Sequence, residues 1–280
     1  MNRKYLTMTI IIGVLLPLCA QAQLIAYEPF TQGTSGQAVA GYSGASSIGL
    51  SGVWATPTDG GAMAIQAAPV WGTLMGATYP AVENTSWNIT QATRAMTSSL
   101  DLTVDNTYYL SYYLESDQAD TLSQVGLINS AGTMELMAGN AYNGGGKGIT
   151  AYFGAVGGDP QANANGTSLD GGWAGEHRQY QAVYEFTRVG GDLSAIINYY
   201  SGSYATAGGV AVSTRTVDLG AVSDTFDTLT FQQSGWNVLD NIAIGDTLSS
   251  VTAVPEPSVA AIGGLGILAL FALKRKNCAT

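Results

Sequence analysis

Phe226-Asp-Thr-Leu-Thr-Phe231, followed by Trp236-Asn-Val-Leu-Asp-Asn-Ile-Ala-Ile-Gly245, is the stretch that decides the fold class of this 280-residue chain. Both parts are rich in the β-branched and aromatic residues that favour strands. The stretch therefore predicts two strands, over Thr228–Gln233 and Val238–Ile244.

Runs of the same kind recur at short spacing through the middle of the chain. Tyr180-Gln-Ala-Val-Tyr-Glu-Phe186 alternates with a period of two, and Tyr108–Leu114 is dense in strand-forming residues. Glycine-rich turns separate the runs, and no long segment between the two ends carries a helical stripe. The further predicted strands are Leu24–Phe30, Ala62–Ala67, Ala95–Thr103, Thr107–Glu115, Leu122–Asn129, Thr133–Ala138, Gly148–Ala155, Tyr180–Arg188, Leu193–Tyr200 and Val210–Leu219. About a dozen strands without helices predict an all-β fold, a two-sheet sandwich or jelly roll.

The closing stretch 226–245 resembles the last strand pair of concanavalin A-like (laminin-G-like) sandwiches, and Ala26-Tyr27-Glu28-Pro29-Phe30 resembles their first strand. The resemblance implies a concanavalin A-like β-sandwich over residues 23–253. It implies no single function, because this fold carries lectins, glycosidases and adhesive modules alike.

The C-terminal segment has three parts in a fixed order. Val254-Pro-Glu-Pro-Ser258 comes first, the uncharged run Val259–Leu273 follows, and Lys274-Arg275-Lys276 forms a basic stop. Fifteen apolar residues make about 22 Å of helix, shorter than a hydrocarbon core of about 30 Å. The run predicts a weakly held transmembrane helix whose basic end stays cytoplasmic. A buried C-terminal helix of the domain is the alternative.

This segment, 254–280, resembles the PEP-CTERM sorting signal of Gram-negative bacteria, with Pro255, Glu256 and Pro257 as its tripeptide. The resemblance implies an exosortase-type processing protease as partner. That protease would cut near the tripeptide and pass the protein to the cell surface or extracellular matrix. The helix would then anchor only an inner-membrane precursor.

The N-terminal segment 1–22 predicts a secretory signal peptide. Arg3 and Lys4 precede an apolar stretch, Met8–Leu18, and Ala20-Gln21-Ala22 offers small residues for signal peptidase cleavage after Ala22. Cys19 invites a lipoprotein interpretation, but Leu18 stands where a lipobox has a small residue.

The charge of the remaining body, 23–253, excludes some partners. Removing Arg3, Lys4, Lys274, Arg275 and Lys276 lowers the basic count from 10 to 5, and removing Glu256 lowers the acidic count from 20 to 19. A net charge of about −14 repels nucleic acid and anionic membrane surfaces, so membrane contact is expected only through the C-terminal helix. Both cysteines, Cys19 and Cys278, lie in the terminal segments, which leaves the body without disulfides or thiol chemistry.

No catalytic residue is predicted. Glycosidases of this fold space carboxylates along one strand, and Glu115-Ser-Asp117-Gln-Ala-Asp120 comes nearest to that pattern but runs into an expected turn. Glu135 stands alone in its strand and Glu176 has no acidic neighbour, so surface or turn carboxylates are the expectation. His177 is the only histidine, and no Gly-x-Ser-x-Gly elbow accompanies it.

Two kinds of binding site remain open. Calcium is a possible ligand of the Asp159–Asp170 loop, with Asn163 and Asn165, or of Asp117 and Asp120, although the spacing selects no ligand set. Aromatic side chains in polar or glycine-rich surroundings are candidates for a sugar platform, with edge-of-core packing as the alternative. They are Trp54, Trp71, Trp87, Trp173, Tyr199, Tyr200 and Tyr204, whereas Trp236 is expected in the core.

Three functions follow from these observations. The leading one is a non-enzymatic, exported β-sandwich that binds carbohydrate or exopolysaccharide through aromatic and amide-bearing loops. The second is a glycan-active hydrolase or lyase of the same fold, and the third is a self-associating structural matrix protein, which an exposed edge strand would favour.

Overall fold

The computed structural model describes residues 23–30, 32–56, 63–66, 80–84, 88–116, 122–142, 147–157, 178–203, 207–235 and 237–252. Across these ranges the chain forms 14 strands and one short helix. The strands are β1 (Leu24–Glu28), β2 (Gln37–Ala38), β3 (Met63–Gln66), β4 (Ala81–Asn84), β5 (Thr90–Asp101), β6 (Asn106–Ser116), β7 (Ser123–Asn129), β8 (Met134–Tyr142), β9 (Lys147–Ala155), β10 (Arg178–Val189), β11 (Asp192–Ser201), β12 (Ser213–Ala221), β13 (Thr225–Gln233) and β14 (Val238–Gly245). The helix is α1 (Leu248–Thr252).

The strands form two antiparallel sheets, which confirms the predicted all-β sandwich. Nine strands make one sheet in the order β12-β11-β10-β6-β14-β4-β3-β2, with β1 also paired to β14. The other sheet has five strands in the order β5-β13-β7-β8-β9.

The two strands of the deciding stretch lie in different sheets. Strand β13 is the second strand of the five-stranded sheet, whereas β14 lies inside the nine-stranded sheet. Between them, the Asn237 side-chain amide donates to the carbonyls of Ser234 and Leu122, at 3.0 Å each. This amide stabilises the connection at the point where the chain crosses from one sheet to the other.

Every predicted strand has an observed counterpart, but the sequence missed β2, β4 and α1. Strand β2 has two residues, too few for a period of two to register, and half of β4 is Glu83 and Asn84, of residue types depleted in strands. No helix within the ranges given above is long and apolar enough to cross a membrane. The predicted membrane segment Val259–Leu273 and signal peptide 1–22 lie outside those ranges.

The core lies between the sheets, where alternate residues of each strand point inward. Phe231, Val125 and Ala138 pack there from three neighbouring strands of the five-stranded sheet. On the facing sheet, the Tyr184 hydroxyl lies 3.0 Å from that of Tyr112 and 2.8 Å from that of Tyr199. These hydrogen bonds satisfy the polar tips of three buried aromatic rings, as burial of tyrosine requires.

A buried ion pair joins the two sheets through the core. Arg94 on β5 donates to the carboxylate of Glu28 on β1, and both side chains are almost completely buried. Glu28 also accepts from Trp54 Nε1 at 3.1 Å and from Ser47 Oγ at 2.9 Å. Burial raises the pKa of Glu28, while the hydrogen bonds from Ser47 and Trp54 and the charge of Arg94 oppose that rise.

Candidate functional site

The outer face of the five-stranded sheet carries a row of amide side chains. Inward-pointing Phe231 and Val125 alternate along their strands with Gln232 and Gln124, which therefore point to the opposite face. Gln91 on β5 pairs with Gln232 on β13, and Gln232 pairs with Gln124 on β7. We call Gln91, Gln232 and Gln124 the amide row. Gly139 and Thr150 continue it across β8 and β9.

The amide row is buried although it faces away from the core. The exposed fraction is 0% for Gln124, 6% for Gln232 and 8% for Gln91. Glutamine is usually exposed, and burial of its amide costs free energy unless hydrogen bonds replace those lost to water. The row is therefore an unusual feature for the outer face of a sandwich.

Within the part of the chain that the structure describes, neither the side-chain oxygen nor the side-chain nitrogen of Gln124 has a hydrogen-bond partner. Gly139, which pairs with Gln124, leaves room for its side chain. A Cβ at Gly139 would lie 2.8 Å from Gln124 Cγ. A buried polar group without a partner costs about 1–3 kcal/mol. A free donor and a free acceptor on one side chain match a ligand group that both donates and accepts, such as a hydroxyl.

Glu135 on β8 lies on the same face and is also buried. Its Oε1 accepts from the backbone N–H of Gly157 at 3.2 Å, and its Oε2 has no partner. Burial raises the pKa of Glu135, and hydrogen bonds from Gly157 and from the Gln91 side chain oppose that rise.

Gln91 on β5 and Glu135 on β8 interact although strands β13 and β7 lie between them, from which we infer that this face curves inward. Gln91 Nε2 also donates to Thr230 Oγ1 at 3.0 Å, on the intervening strand β13. We call this outer face of the five-stranded sheet the concave face.

The concave face is equipped for hydrogen bonding and apolar contact. Three amides, Thr230 and Thr150 supply donors and acceptors, while buried Met137 and half-buried Tyr152, which pair across β8 and β9, supply apolar surface. Glu135 has no acidic residue on either neighbouring strand, β7 or β9, whereas glycoside hydrolysis uses two carboxylates close together. Within the residues that the structure describes, no group of three or more His, Cys, Asp or Glu is placed to hold a metal ion.

Replacing Glu135 by glutamine is expected to stabilise the protein above acidic pH. Because the pKa of Glu135 is raised from 4.5 on folding, its ionised form disfavours the folded state, and this cost is absent below pH 4.5. The gain in unfolding free energy of Glu135→Gln should therefore appear as pH rises through the folded pKa and then level off. Urea unfolding between pH 3.5 and 8, with Glu185→Gln as control, measures this, and a gain confined to low pH would contradict it.

The structure corrects several expectations about candidate residues. Glu115, expected before a surface turn, is buried within β6 on the outer face of the nine-stranded sheet, where its Oε2 accepts from Gln179 Nε2 at 3.0 Å. Glu135 is buried rather than a surface carboxylate. Trp54, Tyr199 and Tyr200 are buried as well, which removes them from an exposed sugar platform.

The other predicted residues lie outside the described ranges. They include the sorting tripeptide Pro255, Glu256 and Pro257, the basic stop Lys274, Arg275 and Lys276, and the signal peptidase site Ala20 and Ala22. The candidate aromatics Trp71, Trp87, Trp173, Trp236 and Tyr204, the acidic residues Asp117, Asp120 and Glu176, the loop Asp159–Asp170, and His177 also lie there.

The amide row was not among the residues predicted from the sequence. A signal was present in Ser123-Gln-Val-Gly-Leu127, where Gln124 and Gly126 alternate with apolar residues. Gln91 and Gln232 become neighbours of each other, and Gln232 of Gln124, only through strand pairing, which alternation within one strand does not specify.

Comparison with known proteins adds likenesses of fold. No family model and no curated protein matches the chain. Domain 4 of AbnA, a GH43 extracellular arabinanase from Geobacillus stearothermophilus solved with arabinotriose, is 14% identical with a TM-score of 0.41, over 83% of this chain and 98% of that chain. The carbohydrate recognition domain of Emp47p is 8% identical with a TM-score of 0.40, over 82% and 99%. Lectin II from Ulex europaeus is 10% identical with a TM-score of 0.38, over 69% and 91%. Likenesses at this level transfer neither a ligand nor a residue role.

Proposed function

We propose that the protein is a non-enzymatic carbohydrate-binding protein whose concave face holds the sugar. The observation that carries this proposal is the buried Gln124 amide, which has neither its donor nor its acceptor satisfied. Sugar hydroxyls both donate and accept, so a hydroxyl seated at Gln124 supplies both missing hydrogen bonds.

The amide row is long enough to contact several hydroxyls of an extended ligand. Neighbouring strands lie about 4.8 Å apart, so three glutamines on adjacent strands span roughly 10 Å. Gln91 and Gln232 remain slightly exposed, whereas Gln124 is fully buried, so a ligand that reaches Gln124 must displace the groups that cover it. The arrangement supports contact with several hydroxyls of an oligosaccharide, with Met137 and Tyr152 against its apolar faces.

The strands on either side of Glu135, β7 and β9, carry no acidic residue, which supports binding rather than hydrolysis. A hydrolase or lyase of the same fold remains the second candidate. It predicts release of reducing or unsaturated sugar ends from a bound polysaccharide, whereas our proposal predicts none after prolonged incubation.

The proposal includes export. Segment 1–22 acts as a signal peptide, and segment 254–280 acts as a PEP-CTERM signal that an exosortase-type protease processes, delivering the protein to the cell surface or extracellular matrix. Intact-mass measurement of the protein from exosortase-bearing cells tests this step. We expect a product that starts at Gln23 and ends near Pro255, and a C-terminus retained when Pro255, Glu256 and Pro257 are replaced by alanine.

Binding of the purified protein to a panel of polysaccharides, with calcium and with EDTA, tests the proposed activity. We expect saturable binding to at least one polysaccharide that persists in EDTA, because strands β7, β8 and β9 supply one carboxylate, Glu135, between them. Binding abolished by EDTA would instead favour a calcium site such as the Asp159–Asp170 loop. Absence of binding in both conditions would overturn the proposal and leave a structural, self-associating protein as the better account.

A further inference from the structure

We infer that the concave face selects uncharged glycans and excludes polysaccharides that carry carboxylates or sulfates. This inference rests on the proposed function and specifies its ligand class. It follows from which polar groups point onto the face, which basic groups point elsewhere, and where Glu135 lies.

The described side chains of the concave face are suited to neutral hydroxyls. Its buried polar residues are Gln91, Gln124, Gln232, Thr150, Thr230 and Glu135, and no basic side chain is described among the outward-facing strand residues. Proteins recognise carboxylates and sulfates chiefly with arginine or lysine, whose charge-assisted hydrogen bonds replace the anion's hydration. Amides and hydroxyls alone do not supply that charge.

The arginines with described side chains do not lie on the concave face. Arg94 alternates with Gln91 along β5, points into the core and pairs with Glu28. Arg188 on β10 of the nine-stranded sheet pairs with Asp105 at 2.8 Å. Arg215 belongs to β12, at the far edge of that same sheet.

Glu135 lies on the same face, four residues along β8 from Gly139. Among the described residues its buried Oε2 has no partner, so an anionic group of an extended ligand that reaches Glu135 would meet an unneutralised acceptor. Burial raises the pKa of Glu135 because its surroundings solvate negative charge poorly, and they would solvate an anionic ligand group equally poorly. A neutral hydroxyl, by contrast, can donate to Oε2.

The test compares a polysaccharide with its charged derivative. The neutral polysaccharide that binds best in the panel is measured beside its carboxymethylated form, by isothermal titration at low salt and at 0.5 M NaCl. We expect at least tenfold weaker binding of the carboxymethylated form. The difference should persist at high salt, because salt screens the net charge of the protein but not a buried contact.

Two variants distinguish an effect of the concave face on ligand choice from an effect of the protein's net charge. Glu135→Gln should reduce the difference between neutral and carboxymethylated forms several-fold, whereas Glu185→Gln, the same charge change on the nine-stranded sheet, should leave it unchanged. Equal binding of both forms by the wild-type protein would overturn the inference while leaving carbohydrate binding intact. Equal effects of the two variants would also overturn it, because exclusion would then reflect net charge. Failure of every polysaccharide to bind would overturn the proposed function itself.

Discussion

Replacement of Gln124 by methionine is expected to stabilise the unliganded protein and to remove polysaccharide binding. Methionine has nearly the volume of glutamine and adapts to its surroundings, but it has no amide to leave unsatisfied. Because both polar atoms of Gln124 lack partners, the free energy of unfolding should rise by about 1–3 kcal/mol. Urea unfolding and isothermal titration with the bound polysaccharide measure the two effects.

Two matched variants give this prediction its control. Gln91→Met loses the hydrogen bond to Thr230, so it should weaken binding but lower the unfolding free energy by about 0.5–1.5 kcal/mol. Gln181→Met makes the same change at a buried glutamine of the nine-stranded sheet and should leave binding unchanged. A destabilised Gln124→Met variant that still binds with wild-type affinity would contradict our account of the site.

Replacement of Arg94 by methionine is expected to give the largest loss of stability. The change leaves the Glu28 carboxylate buried without its ion partner and removes hydrogen bonds to Ser47 Oγ and to the Ser43 carbonyl. Removing one partner of a buried ion pair typically costs about 3–5 kcal/mol. Urea unfolding at neutral pH measures the loss.

The double variant Glu28→Gln/Arg94→Met tests the cause of that loss. It should be more stable than Arg94→Met alone, because no uncompensated charge remains in the core. Since the folded pKa of Glu28 lies above 4.5, protonation relieves the single variant at low pH. Its deficit against wild type should therefore shrink as pH falls toward 4.5. A double variant no more stable than the single one would show that packing around Arg94, rather than charge, is responsible.

Alternation and turn residues were enough to predict the fold class and most of the strands. Strand β10 shows why: over Tyr180–Phe186, even-numbered Tyr180, Ala182, Tyr184 and Phe186 all enter the core cluster. The same logic failed for β4, whose Glu83 and Asn84 are buried although their residue types indicate a surface.

The choice of Trp54 as a candidate for the sugar platform was wrong for a related reason. Trp54 has polar and glycine neighbours in sequence, yet it packs 4.9 Å from Phe231, measured between ring centroids, and donates to buried Glu28. The residues next to a loop residue in sequence do not determine its tertiary contacts. From its neighbours in sequence alone, Trp54 was therefore a candidate for the platform, with edge-of-core packing as the alternative.

The amide row could not be predicted from the sequence because the register of strand pairing brings its residues together. Gln91 and Gln232 are 141 positions apart, and strand pairing alone places them side by side next to Gln124. The room for Gln124 comes from Gly139 on a neighbouring strand. Each of these residues is unremarkable in its own stretch of sequence, and their chemistry arises from being buried together.

A crystal structure of the protein with its best-binding neutral oligosaccharide tests the central claim most directly. We expect the sugar on the concave face, with one hydroxyl within about 3 Å of both Gln124 Oε1 and Nε2 and others near Gln91 or Gln232. A sugar bound on the nine-stranded sheet or on a loop, with Gln124 unchanged, would contradict the account.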